Sequence, residues 1–365
     1  MLLAMLLCGA LAFALTGLIV RFARDHTRDH PEEAPQRFHW GHVPRLGGVA
    51  MLVAFAGGIL ALQALDWPNV THGMHPYHVA AFLGCTVVAT LVGAYEDLTQ
   101  RLAVSWRLLF TFMAASIAVW GLDLSVTRVG WEPIDGLLST LPWLGIAIAL
   151  VAVAGLPHAF NLIDGYNGLA GLVALVVSLA LAYVCLQVGD RQLSVVSLML
   201  VGATGGFLLW NYPRGLVFAG DGGAYLWGTV VAMLCLLLVQ RHPQVSPWFP
   251  MLLLIYPVWE TLFSIYRKLV RGQSPGVADA LHFHQLIYRR IVRGVFHDDE
   301  SRRMLMRNNR TSPYLWGFTV LTVIPAVVFW RYSAPLAGFC LLFIVTYVAA
   351  YFMIVRFKVP PWLRR

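Results

Sequence analysis

Apolar runs long enough to cross a bilayer follow one another through this chain, and they restrict its fold more than any other feature. Eleven qualify: 2–22, 46–65, 78–95, 105–122, 137–156, 168–187, 192–210, 222–240, 248–266, 314–331 and 335–356. About 20 helical residues cross a hydrocarbon core ~30 Å thick. Lipid offers no partner to an open strand edge, and no period-2 alternation is present. The expected fold is therefore all-α: a polytopic membrane bundle of about 11 helices in one domain, 1–365. Charge agrees, since only 12% of residues are charged and 59% are hydrophobic, where soluble chains carry about a quarter charged.

The basic residues give the orientation. If the first run points inward, only Arg128, Arg191, Arg241 and Arg331 fall in outer connections, leaving 22 of the 26 Lys and Arg inside. That asymmetry predicts a periplasmic N-terminus and a cytoplasmic C-terminus. The net charge of +8 belongs to these loops, which argues for membrane topology and against a nucleic-acid face. Cys8, Cys85, Cys185, Cys235 and Cys340 all lie within apolar runs, as buried small hydrophobes do. The first run lacks a basic leader and a small-residue cleavage site, so it reads as a retained helix.

Five polar clusters fall at inner ends: "HWGHVPRLGG" (39–48), "YEDLTQRL" (95–102), "NLIDGYNGLAG" (161–171), "FAGDGGAYLWG" (218–228) and "SPGVADALHFHQLIYRR" (274–290). They occupy cytoplasmic loops at about 23–45, 96–104, 157–168, 211–223 and 267–313. Each has a plain explanation. Gly47-Gly48 suits close helix packing, Glu96 and Asp97 an ordinary loop, "NLIDG" a helix end and turn, and Asp221 a helix N-cap. Together they supply carboxylates, amides and glycines on one face, as a phosphate-bearing ligand with Mg²⁺ requires. His26, His30 and His158 carry no assignment, and His72, His75 and His78 read as a polar interfacial loop. Glu260 lies within a run, where a carboxylate needs a partner; Arg267, two turns on, is the expected one.

With these segments in place, the chain resembles the polyprenyl-phosphate N-acetylhexosamine-1-phosphate transferase family over residues 37–291. The family includes bacterial enzymes that start O-antigen and teichoic acid synthesis and the eukaryotic enzyme that starts N-glycan assembly. Pro44, Gly47 and Gly48 match its Pro-x-x-Gly-Gly segment, and Glu96-Asp97 its Asp-Asp pair. Asn161, Asp164, Gly165, Asn167 and Gly168 match its Asn-x-x-Asp-Gly-x-(Asp/Asn)-Gly motif, Phe218 and Asp221 its aromatic and acidic positions, and Asp279, His282 and His284 its histidine loop. Three departures stand out: Glu96 for Asp, Gln285 for the last His, and Ala280 for the usual Arg. The triple-His signature of the peptidoglycan lipid I synthase is absent, which favours the branch using UDP-amino sugars without a peptide.

The resemblance implies an enzyme of the bacterial inner membrane that moves a sugar 1-phosphate from a UDP-amino sugar to polyprenyl phosphate. UMP is released and an envelope glycan such as O-antigen is begun. Its cofactor would be Mg²⁺, with Mn²⁺ as an alternative, held by Asp221 and Asn161. Asn167 and Phe218 would contact uracil, Gly165 and Gly168 allow close approach, and Asp97, Glu96, Asp164, His282 and His284 serve the transfer. UDP-sugar, lipid phosphate and bilayer are the expected partners, a homodimer is left open, and nucleic acid is excluded. The rival class is a multi-span transporter, which would place its ionisable residues near mid-bilayer.

Overall fold

The computed structural model describes residues 1–23, 43–65, 75–274, 281–292 and 298–356. Among them every regular element is helical: α1 Leu2–Phe22, α2 Gly47–Ala64, α3 Pro76–Thr99, α4 Val104–Gly121, α5 Glu132–Thr140, α6 Pro142–Ile163, α7 Leu169–Gln187, α8 Arg191–Asn211, α9 Gly220–Arg241, α10 Trp248–Leu253, α11 Ile255–Val270, α12 Phe283–Leu286, a π-turn over Ile287–Ile291, α13 Glu300–Val328 and α14 Ser333–Val355. The all-α membrane bundle expected from the apolar runs is the architecture found.

Ten of the described helices are long and apolar enough to span, one fewer than the eleven runs. The difference lies at 248–266, where the chain breaks at Leu254 between α10 and α11. Pro250 and Pro257 bracket the break, and each lacks the N–H that helix continuation needs. α11 is also two-faced. It buries Glu260, Ser264, Arg267 and Lys268 while exposing Leu262, Ile265, Tyr266 and Leu269.

Two further boundaries differ from expectation. The run at 137–156 belongs to a helix that begins at Pro142, a residue suited to the first helical position, and reaches Ile163. The expected loop 267–313 is helical from Glu300, where the Asp299 side chain accepts from Ser301 N at 2.9 Å. α13 has 29 residues, so it is about 43 Å long at ~1.5 Å per residue. That exceeds a ~30 Å core, so its polar first half need not lie within one.

The centre of the bundle is α9, packed against α2, α3, α6, α7 and α8. Glycine lets it be central. A Cβ on Gly93 of α3 would stand 2.5 Å from Asp221 C and Gly222 N. One on Gly48 would overlap the Gly222–Gly223 backbone, and one on Gly228 that of Pro157 in α6. Backbones therefore approach one another directly, as membrane helices do where small residues face each other. α1 and α14 sit at the rim with leucines such as Leu3, Leu7 and Leu341 exposed, as surfaces bathed in lipid permit. The C-terminal ends of α3, α6, α8 and α11 and the N-terminal ends of α2, α4, α7, α9 and α13 share one end of the bundle.

Candidate active site

The site grows from the first turn of α9. A helix N-terminus has backbone N–H groups without intrahelical acceptors, and α9 has no side-chain cap of its own. The cap comes from α3. Asp97, 2% exposed, accepts from Asp221 N through Oδ1 and from Gly222 N through Oδ2, each at 3.0 Å. These amides are thus engaged and are not open to a phosphate. Arg45 Nε stands 4.0 Å from Asp97 Oδ1. Residues 44–48 are tied to the same turn: Phe218 N donates to Pro44 O (2.8 Å), Gly47 N to Phe218 O (3.0 Å) and Gly48 N to Ala219 O (2.9 Å).

Asp221 is held so that its side chain faces α4 and α6. Its Oδ1 accepts from Asn161 Nδ2 at 2.6 Å and its Oδ2 from Arg107 Nη1 at 3.1 Å. Glu96 lies 4.0 Å from the same Arg107 nitrogen, and its Oε2 accepts from Leu102 N at 2.8 Å. Neighbouring helix residues point to different faces, so Asp97 turns into the bundle while Glu96 joins Arg107 and Asp221. Asp221 is not an N-cap, and the Glu96-Asp97 pair is no ordinary solvated loop.

The turn after α6 is fixed from two directions. Gly168 has φ +69°, and its N–H donates to Asn211 Oδ1 at 2.6 Å. Asn167, 2% exposed, is gripped by α13. Its N–H donates to Asn308 Oδ1 (2.8 Å), its Nδ2 to Asn309 Oδ1 (3.0 Å), and its carbonyl accepts from Ser312 Oγ (2.7 Å). Asn309 in turn donates to Pro213 O at 2.7 Å, which joins the turn to the loop carrying Phe218. Asp164 is half-buried beside Asn161. Desolvation raises its carboxyl to about 7; Arg45 opposes the rise and Asp221 adds to it.

The histidine segment closes the other flank. Glu260 takes His282 Nδ1 at 3.2 Å and Phe283 N at 3.1 Å on Oε1, and Tyr347 OH at 2.5 Å on Oε2. Among the described residues the ion-pair partner of Glu260 is His282 and not the expected Arg267. Arg267 donates to Leu281 O and lies over the Phe263 and Tyr351 rings, 5.1 and 4.8 Å from their centroids. His284 stacks on His282 at 5.4 Å, meets Tyr166 edge-on at 5.6 Å, and its Nε2 would be 3.0 Å from a Cβ at Gly165. Burial pushes the Tyr166 hydroxyl up. Asp279 and Ala280 lie outside the described residues.

Glu96, Asp97, Asn161, Asp164, Phe218 and Asp221 therefore meet around one helix start, with Gly165, Asn167, Gly168, His282 and His284 along its flank. Sequence reasoning passed over Arg107, Asn308 and Asn309. Arg107 had a signal, a cation one turn inside an otherwise apolar run. The asparagines had none, because the loop reading hid the helix that aligns them.

Comparison with known proteins finds related sequences. Residues 79–239 match the sequence model of glycosyl transferase family 4. The chain is 27% identical over 250 residues to a probable undecaprenyl-phosphate N-acetylglucosaminyl 1-phosphate transferase of Bacillus subtilis, covering 68% of this chain and 66% of that protein. It is 28% identical over 296 residues to undecaprenyl-phosphate α-N-acetylglucosaminyl 1-phosphate transferase of Escherichia coli K12, covering 76% and 74%. A decaprenyl-phosphate N-acetylglucosaminephosphotransferase of Mycolicibacterium smegmatis is 26% identical over 274 residues, covering 67% and 65%. The chain spans about two thirds of the length of the first and third of these.

Proposed function

The chain belongs to glycosyl transferase family 4, and on that premise we propose that it transfers N-acetylglucosamine 1-phosphate, or a related N-acetylhexosamine phosphate, from a UDP-sugar to polyprenyl phosphate. UMP leaves, and polyprenyl-diphospho-sugar begins an envelope glycan such as O-antigen at the cytoplasmic face of the inner membrane. One observation carries the reading. Segments far apart in sequence deliver Asp221, Asn161, Arg107 and Glu96 to one point at an end of the bundle. The names of the relatives supply the substrate class.

In the reaction an oxygen of the lipid phosphate forms a bond to the β-phosphorus, and the bond from that phosphorus to the UMP oxygen breaks. A phosphate monoester has its second pKa near 6, so about nine tenths of the nucleophile is dianionic at pH 7. No strong base is needed. Asp97, with both oxygens on backbone N–H groups, serves by holding the first turn of α9 and so aiming Asp221. Arg107 sets a fixed guanidinium beside the two carboxylates, and positioning with charge neutralisation is most of what phosphoryl transfer requires. Phe218 and Asn167 would engage uracil, His282 and His284 would donate to phosphate, and Asp164 would serve the transfer from beside Asn161.

A divalent cation suits this donor set. Among the described residues no three acidic, His or Cys side chains form a ready cage. Mg²⁺ typically takes only one or two carboxylates and completes its shell with water and substrate phosphates. Asp221 and Asn161 would hold it, or Mn²⁺, once the Asn161 amide turns its oxygen inward. When bound it would neutralise the diphosphate and stabilise the departing UMP.

The test is UMP release by detergent-purified protein given undecaprenyl phosphate and a panel of UDP-amino sugars. Release that needs lipid and divalent cation, fastest with UDP-N-acetylglucosamine, is expected. No release with any sugar overturns the reading, and uptake into liposomes without UMP would favour the transporter.

A further inference from the structure

Two hydrogen-bonded triads lie on the same three helices, one helical turn apart. The first joins Arg107 of α4, Asn161 of α6 and Asp221 of α9. The second joins Thr111, His158 and Tyr225, displaced by four, three and four residues into the bundle. Such spacings place each residue on the same helix face as its counterpart. Asp221 is the hub of the first triad and His158 the hub of the second. His158 Nε2 is 3.0 Å from Thr111 Oγ1 and its Nδ1 is 3.4 Å from Tyr225 OH. Its ring meets the Tyr225 ring edge-on at 5.1 Å and 70°.

Hydroxyl chemistry fixes the direction of the bonds. Thr111 Oγ1 lies 2.9 Å from Leu108 O and 3.1 Å from Arg107 O. Both are carbonyls, so the hydroxyl donates to them and accepts from His158 Nε2–H. Nδ1 is left as the acceptor for Tyr225 O–H. One neutral tautomer satisfies every bond, in an order running from Tyr225 through His158 and Thr111 to the carbonyls of Leu108 and Arg107, which share the one hydroxyl proton. Tyr225 and Thr111 are 1% and 2% exposed, and the Gly228–Pro157 approach locks α9 against α6 one residue from His158.

We propose that His158, with Thr111 and Tyr225, is a positioning layer that fixes where Arg107, Asn161 and Asp221 meet. It rests on the reading of that cluster as the transfer site. The three residues touch no reacting atom. They hold α4, α6 and α9 in register, so that the Asp221 carboxylate, the Asn161 amide and the Arg107 guanidinium converge. A displacement of ~1 Å at such a cluster is worth about 100-fold in rate.

The experiment measures kcat, KM for the UDP-sugar and the thermal midpoint of purified full-length variants. His158→Phe keeps the ring volume and loses both hydrogen bonds. Its kcat should fall about 10- to 100-fold, with KM within about threefold because ground-state contacts to the nucleotide are untouched. His158→Gln keeps one donor and one acceptor and should regain about tenfold of that loss. Thr111→Val and His158→Phe break one chain, so the double variant should be no slower than His158→Phe alone. A folded His158→Phe protein with kcat within about threefold of wild type overturns the proposal, as does a double variant whose losses multiply. If His158→Phe does not fold, Tyr225→Phe decides. It removes one hydroxyl, and wild-type kcat in that variant overturns the proposal equally. A wild-type protein that releases no UMP removes the functional reading and this inference together, whereas active wild type with indifferent variants removes the layer alone.

Discussion

Asp97 and Asp221 are both acidic and both central, yet the structure gives them different work, and amide substitution separates the two. Asp97 holds two buried backbone N–H groups of the α9 start at 3.0 Å each. Hydrogen bonds to a charged group contribute ~1.5–3 kcal/mol each, and a carboxylate at a helix N-terminus adds ~0.3–1 kcal/mol. An asparagine side chain in its place retains one acceptor and turns its NH₂ toward the other N–H, so Asp97→Asn should cost about 2–4 kcal/mol. At ~2–4 °C per kcal/mol for 150–250 residues, and less for a longer chain, the midpoint in detergent should fall by roughly 3–10 °C. Asp221→Asn removes no cap: the new amide accepts from Arg107 through its oxygen, and Asn161 turns its own amide oxygen to accept from the new NH₂. This substitution should lower kcat while leaving the midpoint within about 2 °C, the scale of a substitution that leaves no buried group unpaired. Thermal unfolding read by intrinsic fluorescence, beside UMP release, distinguishes the two. If Asp97→Asn loses activity at a wild-type midpoint, its carboxylate acts on substrate directly and the capping argument is wrong.

Three other outcomes follow from the same geometry. Phe218→Ala should weaken use of the UDP-sugar about 5- to 150-fold, mostly in KM, because base–aromatic stacking of ~1–3 kcal/mol acts in ground and transition states alike; an unchanged KM would remove the uracil contact. Asp164, raised to about 7 from an ordinary 3.8, keeps in the folded state a proton that the unfolded chain has lost above pH ~4. Stability should therefore fall between about pH 4 and 7 and level off above, and a thermal-midpoint series should show that slope flattened in Asp164→Asn. A reporter fused after Arg365 should be cytoplasmic and one inserted at Gly189 periplasmic, since 22 of 26 basic residues are assigned to the inner side; the reverse result would put the site outside.

The helices were legible because bilayer thickness imposes a length, and hydropathy reports that length directly. Hydropathy misleads where apolar content and spanning part company. Run 248–266 is apolar enough, but Pro250 and Pro257 interrupt the backbone and α11 turns Glu260 and Arg267 inward. α13 shows the converse. Its first half, from Glu300 to Ser312, is polar and reads as loop, yet it is helical because Asn308 and Ser312 are held by Asn167. Those contacts lie 141 and 145 residues away along the chain, and no local pattern encodes them.

The site divides along the same line. That these polar residues gather at one end of the bundle was legible, since carboxylates and amides at the ends of membrane helices stand out against apolar surroundings. Their division of labour was not, because adjacent helix residues look alike in sequence and face apart in space. Glu96 and Asp97 read as a pair; one bonds Leu102 N and approaches Arg107, while the other leaves the pair to cap a helix 124 residues away. The plain explanation of Asp221 was a cap of its own helix, because it stands in the first turn. Asp97 had already taken that task, which leaves the Asp221 carboxylate for Asn161 and Arg107. A capping residue supplied from another helix is thus what frees the Asp221 carboxylate, and the glycines at 93 and 220 are the condition for it, since a side chain at either would collide with Asp221 backbone or with the Asp97 carboxylate.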